Sequence, residues 1–164
     1  MTVVVADTSP LNYLALIGSI GILPGLYGKI VVPPEVIDEL SQAGAPAEVT
    51  AWIDSRPDWL EIRSVRLMRN DPTLLHLDPG ERAAILLAQA EERALLLVDD
   101  AAGRAEANRR GIPTTGTLGV LRAAASRGLV DLAPALTRLA VTNFRVSQAL
   151  LDDLLAEEER RQAK

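Results

Sequence analysis

The chain has 164 residues, 48% of them hydrophobic and none of them cysteine, which suits one domain with a packed core and excludes a disulfide framework or a thiolate metal site. Its formal net charge is −5 and its pI about 4.9, the opposite of the overall footprint of a nucleic-acid binder, although a global count does not exclude a local basic patch. The only aromatic residues are Tyr13, Tyr27, Trp52, Trp59 and Phe144, which argues against the multi-base stacking platforms of OB-fold or RRM proteins.

Val3-Val4-Val5-Ala6 is β-branched and uncharged and predicts a strand buried on both faces. It stops at Asp7, and Ser9-Pro10 reads as a helix start, so Asp7 marks the handover from a central strand to a helix over about 9–17, closed by Gly18. Residues 11–28 carry no charge, but Asn12, Ser19, Pro24 and four glycines argue against a spanning helix. The stretch reads as a buried helix and an apolar turn, with part of it open to a partner. No basic, apolar and small-residue sequence of a secretory signal opens the chain, and with no cysteine a cytoplasmic location is expected.

Lys29-Ile30-Val31-Val32 is a second short strand. Pro33-Pro34 opens a helix over Glu35–Gln42, and Pro46 opens another to about Ser55. Leu60–Val65 alternates as a weak edge strand, and 66–77 reads as a loop. Asp78-Pro79-Gly80-Glu81 opens a long helix to about Arg93. Ala94–Val98 is the second strongly apolar strand, and it too ends in carboxylates, Asp99-Asp100. A helix to Arg110, a short strand around 112–114, a helix from Gly116 to about Arg127 and two further helices near 134–142 and 147–160 complete the chain. Strands alternating with helices indicate an α/β domain with a mainly parallel sheet.

In such sheets ligands bind outside the carboxyl ends of the strands, which draws attention to the acids there. Asp7 either ends a strand and caps a helix or serves a catalytic or metal site. Asp99 and Asp100 are costly side by side unless solvated or neutralised, and Asp99 has the alternative of capping the next helix. On its helix, Glu39 flanks the apolar face of Val36, Ile37 and Leu40, whereas Glu35 and Asp38 point away from it. Glu81 lies on the core-facing line with Ala84 and Ile85, in the position of a capping-box acid; a site role is compatible with that one. His76, the sole histidine, has no second histidine or cysteine with which to bind zinc. Gly116-Thr117-Leu118-Gly119 lacks a P-loop ending, so Thr117 either offers its hydroxyl to a site or caps a helix. Arg104, Arg109 and Arg110 either meet phosphates or form a solvated helix face.

These segments, taken in order, resemble the PIN-domain nucleases, and within them the small prokaryotic proteins related to VapC-type toxins of toxin–antitoxin pairs. The carrying stretches are Val-Val-Ala-Asp-Thr-Ser-Pro-Leu at 4–11, Val-Val-Pro-Pro-Glu-Val-Ile-Asp-Glu-Leu at 31–40, Leu-Asp-Pro-Gly-Glu-Arg-Ala-Ala at 77–84, Leu-Val-Asp-Asp at 97–100 and Gly-Thr-Leu-Gly-Val-Leu at 116–121. The resemblance implies one PIN-like domain over 1–164, a three-layer α/β/α fold with a mainly parallel sheet flanked by helices, and C-terminal helices over about 134–160. Its four acids fall on Asp7, Glu39, Glu81, where this class more often has aspartate, and Asp99 or Asp100, of which Asp100 is favoured. Ser9 and Thr117 are secondary site candidates, and Arg104 is the candidate for binding substrate. A carboxylate set without histidine or cysteine suits Mg²⁺ or Mn²⁺. The resemblance supplies RNA as substrate, cleaved within the strand, with a small antitoxin protein and a second copy of the chain as expected partners. Two other classes are open. A receiver or haloacid-dehalogenase-type phosphatase needs a lysine near the site, and Lys29 and Lys164 are poorly placed for it. A non-catalytic interaction module of the same fold would use 11–28 or the leucines of the last helix, Leu150, Leu151, Leu154 and Leu155.

Overall fold

The computed structural model describes residues 1–65 and 71–163. The first part of the expected 66–77 loop and Lys164 lie outside them. Five parallel strands form one sheet in the order β3-β2-β1-β4-β5: β1 (Val3–Ala6), β2 (Ile30–Val32), β3 (Leu60–Ile62), β4 (Ala94–Leu97) and β5 (Thr114–Thr115). β1 is central. Its register runs Val3 to Ala94 through Ala6 to Leu97 on one side and pairs Val5 with Val31 on the other. The chain therefore winds outward from β1 through β2 to β3, then returns to the other side of β1 for β4 and β5. The switch point of the sheet lies between β1 and β4.

Because successive strand residues face opposite ways, the three inner strands β1, β2 and β4 feed two cores. Val4, Ala6, Ile30, Val32 and Leu97 join the larger core, with residues of α1 (Thr8–Leu16), α2 (Ile22–Tyr27), α3 (Pro34–Leu40), α4 (Ala47–Asp54), α7 (Thr117–Ser126), α8 (Leu132–Ala140) and α9 (Gln148–Gln162). Val5, Val31, Leu96 and Val98 join the smaller one, under α5 (Pro79–Gln89) and α6 (Ala101–Arg109). Helices thus cover both faces in three α/β/α layers, as all-parallel sheets require.

Several element ends differ from the sequence expectation for identifiable reasons. α1 starts at Thr8 with Asp7 in the cap position; Pro10 then sits inside the first turn, where its missing N–H would have no helical partner anyway. α5 stops at Gln89 rather than near Arg93, because the ladder claims the following residues: the Val3 amide donates to the Arg93 carbonyl at 2.9 Å. β3 ends at Ile62, and β5 is displaced to Thr114–Thr115 because Ile112 closes the turn after α6, its amide donating to the Ala107 carbonyl. α8 runs from Leu132 to Ala140 rather than over 134–142. In the uncharged 11–28 stretch, Leu11, Leu14, Ala15, Ile17, Ile22 and Leu23 are buried in the larger core. Among the described residues no helix is long and apolar enough to cross a membrane.

The strand order sets a test by urea denaturation. Leu96→Ala, in β4 beside the central strand, should cost about 2–5 kcal/mol because Leu96 is fully buried. Ile62→Ala on the edge strand, where the side chain keeps 41% of its exposure, should cost about 1 kcal/mol or less. Equal costs would contradict the placement of β3 at the edge.

Candidate active site

Asp7 ends the central strand at the switch point. Its own amide donates to the Leu97 carbonyl at 2.9 Å, continuing the β1–β4 ladder by one bond. The backbone is thereby fixed at the start of α1, and only 4% of the residue is exposed. Although Asp7 occupies the cap position, its side chain makes no cap hydrogen bond, and Oδ1 is buried with no partner among the described residues. Burial drives the Asp7 carboxyl up to about 8. The Thr8 amide opposes that shift, and the charges of Glu81, Asp78 and Glu39 add to it.

The next two residues reach to either side of Asp7. The Thr8 hydroxyl donates to Glu39 Oε2 at 2.7 Å, and the Ser9 hydroxyl donates to Asp99 Oδ2 at 2.8 Å. Glu39, on the last turn of α3, is half-buried, while Glu35 and Asp38 of the same helix are exposed. Its other oxygen, Oε1, accepts the Gly80 amide at 3.1 Å, so Glu39 ties the start of α1 to the start of α5. The close approach depends on glycine: a Cβ at Gly80 would lie 2.5 Å from Glu39 Oε1.

Glu81 and Asp78 form a capping box at the start of α5. Asp78 Oδ1 accepts the Glu81 amide at 2.8 Å, and Glu81 Oε2 accepts the Asp78 amide at 3.4 Å. The long return bond leaves the Glu81 carboxylate weakly held. Its pKa rises to about 7, chiefly through burial, with the charges of Asp78 and Asp100 behind it. Asp7, Glu39, Glu81, Asp78 and Asp100 therefore share one electrostatic neighbourhood.

Asp99 and Asp100 part company. Asp99 is half-buried and accepts three hydrogen bonds: the Ser9 hydroxyl, the Thr117 amide at 2.7 Å and the Thr117 hydroxyl at 2.7 Å. Gly116 allows this approach, since a Cβ there would meet Asp99 Oδ1 and the Arg104 guanidinium at 2.7 Å. Asp100 rather than Asp99 caps the next helix, with Oδ2 accepting the Gly103 amide at 2.8 Å. Arg104 lines the cleft next to these two acids and donates to the Val98 carbonyl at 3.3 Å. Arg109 and Arg110 do not reach the site. Both bond Glu106, and Arg110 also bonds Asp71 and Thr73, at the opposite end of α6 from Asp100. Lys29 pairs with Glu61 on the edge strand and His76 is exposed, so neither supplies the site lysine of a receiver or phosphatase or a histidine ligand.

The sequence reading missed Thr8, Asp78, Gly80 and Gly116. Thr8 and Asp78 carried a usable signal, a polar side chain next to or three residues from a candidate acid. The roles of the glycines depend on which chains approach them, and no local pattern carries that.

The two raised carboxyl groups make stability depend on pH. Each binds its proton more tightly in the folded chain than in the unfolded one, where carboxyls titrate near 4. Between about pH 4 and 8 the folded state therefore holds extra protons, and stability falls as pH rises through that window. Asp7→Asn keeps the shape and removes the larger contribution. In EDTA, the mutant should gain on the parent as pH rises, ending more stable by on the order of 1–3 kcal/mol at pH 8. Melting curves that show the mutant less stable than the parent by about 1 kcal/mol or less at neutral pH, with the difference vanishing below about pH 4, would mean that Asp7 is an ordinary cap.

Comparison with curated proteins and with solved structures finds no significant match. The sequence model of a protein family described as PIN domain matches residues 3–160, a span that begins at β1 and ends within α9. The family is one of nucleases in general, and its members typically use divalent metal ions. With nearly the whole chain covered, and with a parallel sheet whose central strands end in carboxylates, the protein belongs to the PIN-domain family.

Proposed function

We propose that the protein is a Mg²⁺- or Mn²⁺-dependent endoribonuclease, and that it serves as the toxin of a toxin–antitoxin pair. The observation that carries the metal-dependent reading is Asp7 Oδ1, a buried carboxylate oxygen without a partner among the described residues, with the charges of Glu39 and Glu81 bearing on it. A buried carboxylate left unmatched is costly, and a hard cation is the ligand that its chemistry fits. Mg²⁺ keeps several waters and uses only one or two carboxylates, completing its shell with substrate phosphate oxygens. A site of that kind needs no tight cage, and among the described residues no three acids are gathered into one.

In this reading Asp7 and Glu81 are the acids that hold the ion, being the least engaged by other donors, and Asp100 contributes the oxygen its cap bond leaves open. When bound, the ion stabilises charge on a phosphodiester and lowers the pKa of water. The chain's own groups do the positioning. Glu39 is fixed between Thr8 and Gly80, Asp99 between Ser9 and Thr117, so neither swings when substrate arrives. Burial and the neighbouring acids raise the Glu81 carboxyl to about 7 in the metal-free chain, so Glu81 would release a proton on binding an ion there. Arg104 offers its guanidinium to a phosphate at the mouth of the site. A small antitoxin protein and a second copy of the chain are the proposed partners, and a cytoplasmic location goes with them; the exposed Val141 and Leu150 at α8 and α9 offer apolar surface for such contacts.

A non-catalytic interaction module is the second reading, favoured by the three hydrogen bonds that already occupy Asp99. Incubation with single-stranded RNAs of varied sequence separates the two. The nuclease reading predicts internal cleavage with Mg²⁺ or Mn²⁺, none in EDTA, and a loss of at least about 100-fold in Asp7→Asn. Cleavage that persists in EDTA would remove the metal mechanism, and no cleavage of any RNA by well-folded protein would favour the interaction module.

A further inference from the structure

The space next to Asp99 extends well past the acids. It is a cleft of about 850 Å³, within the range of ligand sites. Ser9, Asp99 and Arg104 line one part of it, and Asn143, Phe144 and Arg145 another. The last three belong to the connection between α8 and α9, which is fastened to α1 by aromatic and polar contacts. The Tyr13 hydroxyl donates to Asn143 Oδ1 at 2.8 Å, and the Tyr13 and Phe144 rings meet edge to face at 4.9 Å and 78°. Both rings line the cleft and neither is fully buried. Two of the five aromatic residues of the chain, far apart in sequence, thus form one wall beside the acids.

Two arginines, Arg104 and Arg145, and two aspartates, Asp99 and Asp100, line the cleft, with Asp100 capping α6 through the Gly103 amide. Arg63, Arg109, Arg110, Arg122 and Arg161 are ion-paired, whereas eight other described arginines are not, so it is the placement of Arg104 and Arg145 in the cleft that distinguishes them. Among the described residues neither Arg104 nor Arg145 has a carboxylate partner, although both line this cleft. Arg145 stands near enough to Tyr13 for its charge to act on the phenol. Asp99 is matched by its three donors, which reduces its repulsion of a phosphate. The Asn143 side chain uses its oxygen on Tyr13 and keeps its amide group available as a donor.

We infer that this cleft seats one unpaired nucleotide of single-stranded RNA, with its base against the Tyr13–Phe144 pair and its flanking phosphates at Arg104 and Arg145. The inference rests on the nuclease reading above, which places the scissile phosphate at the adjoining acids. A base reaches an aromatic wall only when it has left its own stack, so the ligand is single-stranded. Two rings in edge contact hold one base rather than a run of them. Tyr13, Phe144 and Arg145 are positioning residues for the strand.

Binding to the full chain, measured in EDTA by fluorescence anisotropy with a short labelled oligouridine, tests this without turnover. Phe144→Leu keeps bulk and removes the ring, and Arg145→Gln changes an exposed side chain. Each should weaken binding about tenfold. Arg145→Gln should also lower the slope of log affinity against log salt by about 0.7, the value for one phosphate of a single strand, while Phe144→Leu leaves the slope unchanged. The parent should prefer oligouridine to an abasic strand of equal length by about tenfold, and Phe144→Leu should lose that preference. Parent-like affinity and salt slope in both variants, or no RNA binding by the parent, would overturn the seat. If Phe144→Leu fails to fold, the salt slope of Arg145→Gln decides alone. Cleavage by the parent with binding unmoved in the variants counts against the seat only. Altered binding without cleavage under any metal counts against the nuclease reading and leaves the RNA seat standing.

Discussion

An ionised carboxylate in a protein interior needs a positive charge or several hydrogen-bond donors, and among the described residues Asp7 has neither on its Oδ1. Its backbone cannot move to find them, because the Asp7 amide belongs to the ladder with β4. Its side chain has little access to water, since only 4% of the residue is exposed. The rest of the site is arranged around that constraint. Glu39 and Glu81 come from different helices on different faces of the sheet, and both bring negative charge toward Asp7 rather than relief from it. Such an arrangement lowers the stability of the empty protein at neutral pH and is favourable once a cation is bound.

The fold makes this crowding possible by economical means. The winding of the strands puts β1 next to β4, so that Asp7 and Asp99-Asp100 emerge side by side although some ninety positions separate them in the chain, as the Ser9–Asp99 bond shows. Thr8 and Ser9 then extend from the first turn of α1 to opposite flanks, one to Glu39 and the other to Asp99. Two helix starts approach closely enough to donate amides to these acids because they carry Gly80 and Gly116, where a Cβ would collide with the carboxylate. Holding acids with hydroxyls and amides rather than with lysine or arginine fixes their positions without cancelling their charge.

Much of this was legible in the sequence. The apolar runs at 3–6 and 94–97 and the Pro-marked helix starts give the α/β alternation, and the flank position of Glu39 gives its inward direction. Element ends were less legible, because tertiary pairing sets them: the ladder with Val3, not helix propensity, ends α5. Asp99 and Asp100 are indistinguishable as neighbours in a sequence; their roles separate when Thr117 arrives from elsewhere to hold Asp99, leaving Asp100 to cap its own helix at Gly103. The cleft wall was invisible for the same reason. Tyr13 and Phe144 meet through the packing of α1 against the α8–α9 connection, and no periodicity relates them.

The central claim is that the buried, unpartnered oxygen of Asp7 is a metal ligand. Anomalous diffraction from crystals soaked in Mn²⁺ addresses it directly. A difference peak about 2.1 Å from Asp7 Oδ1, the first-shell distance of a small hard dication, with Glu81 as its neighbour, is the predicted result. A well-ordered crystal with no peak at Asp7, or with manganese held by other acids alone, would contradict it.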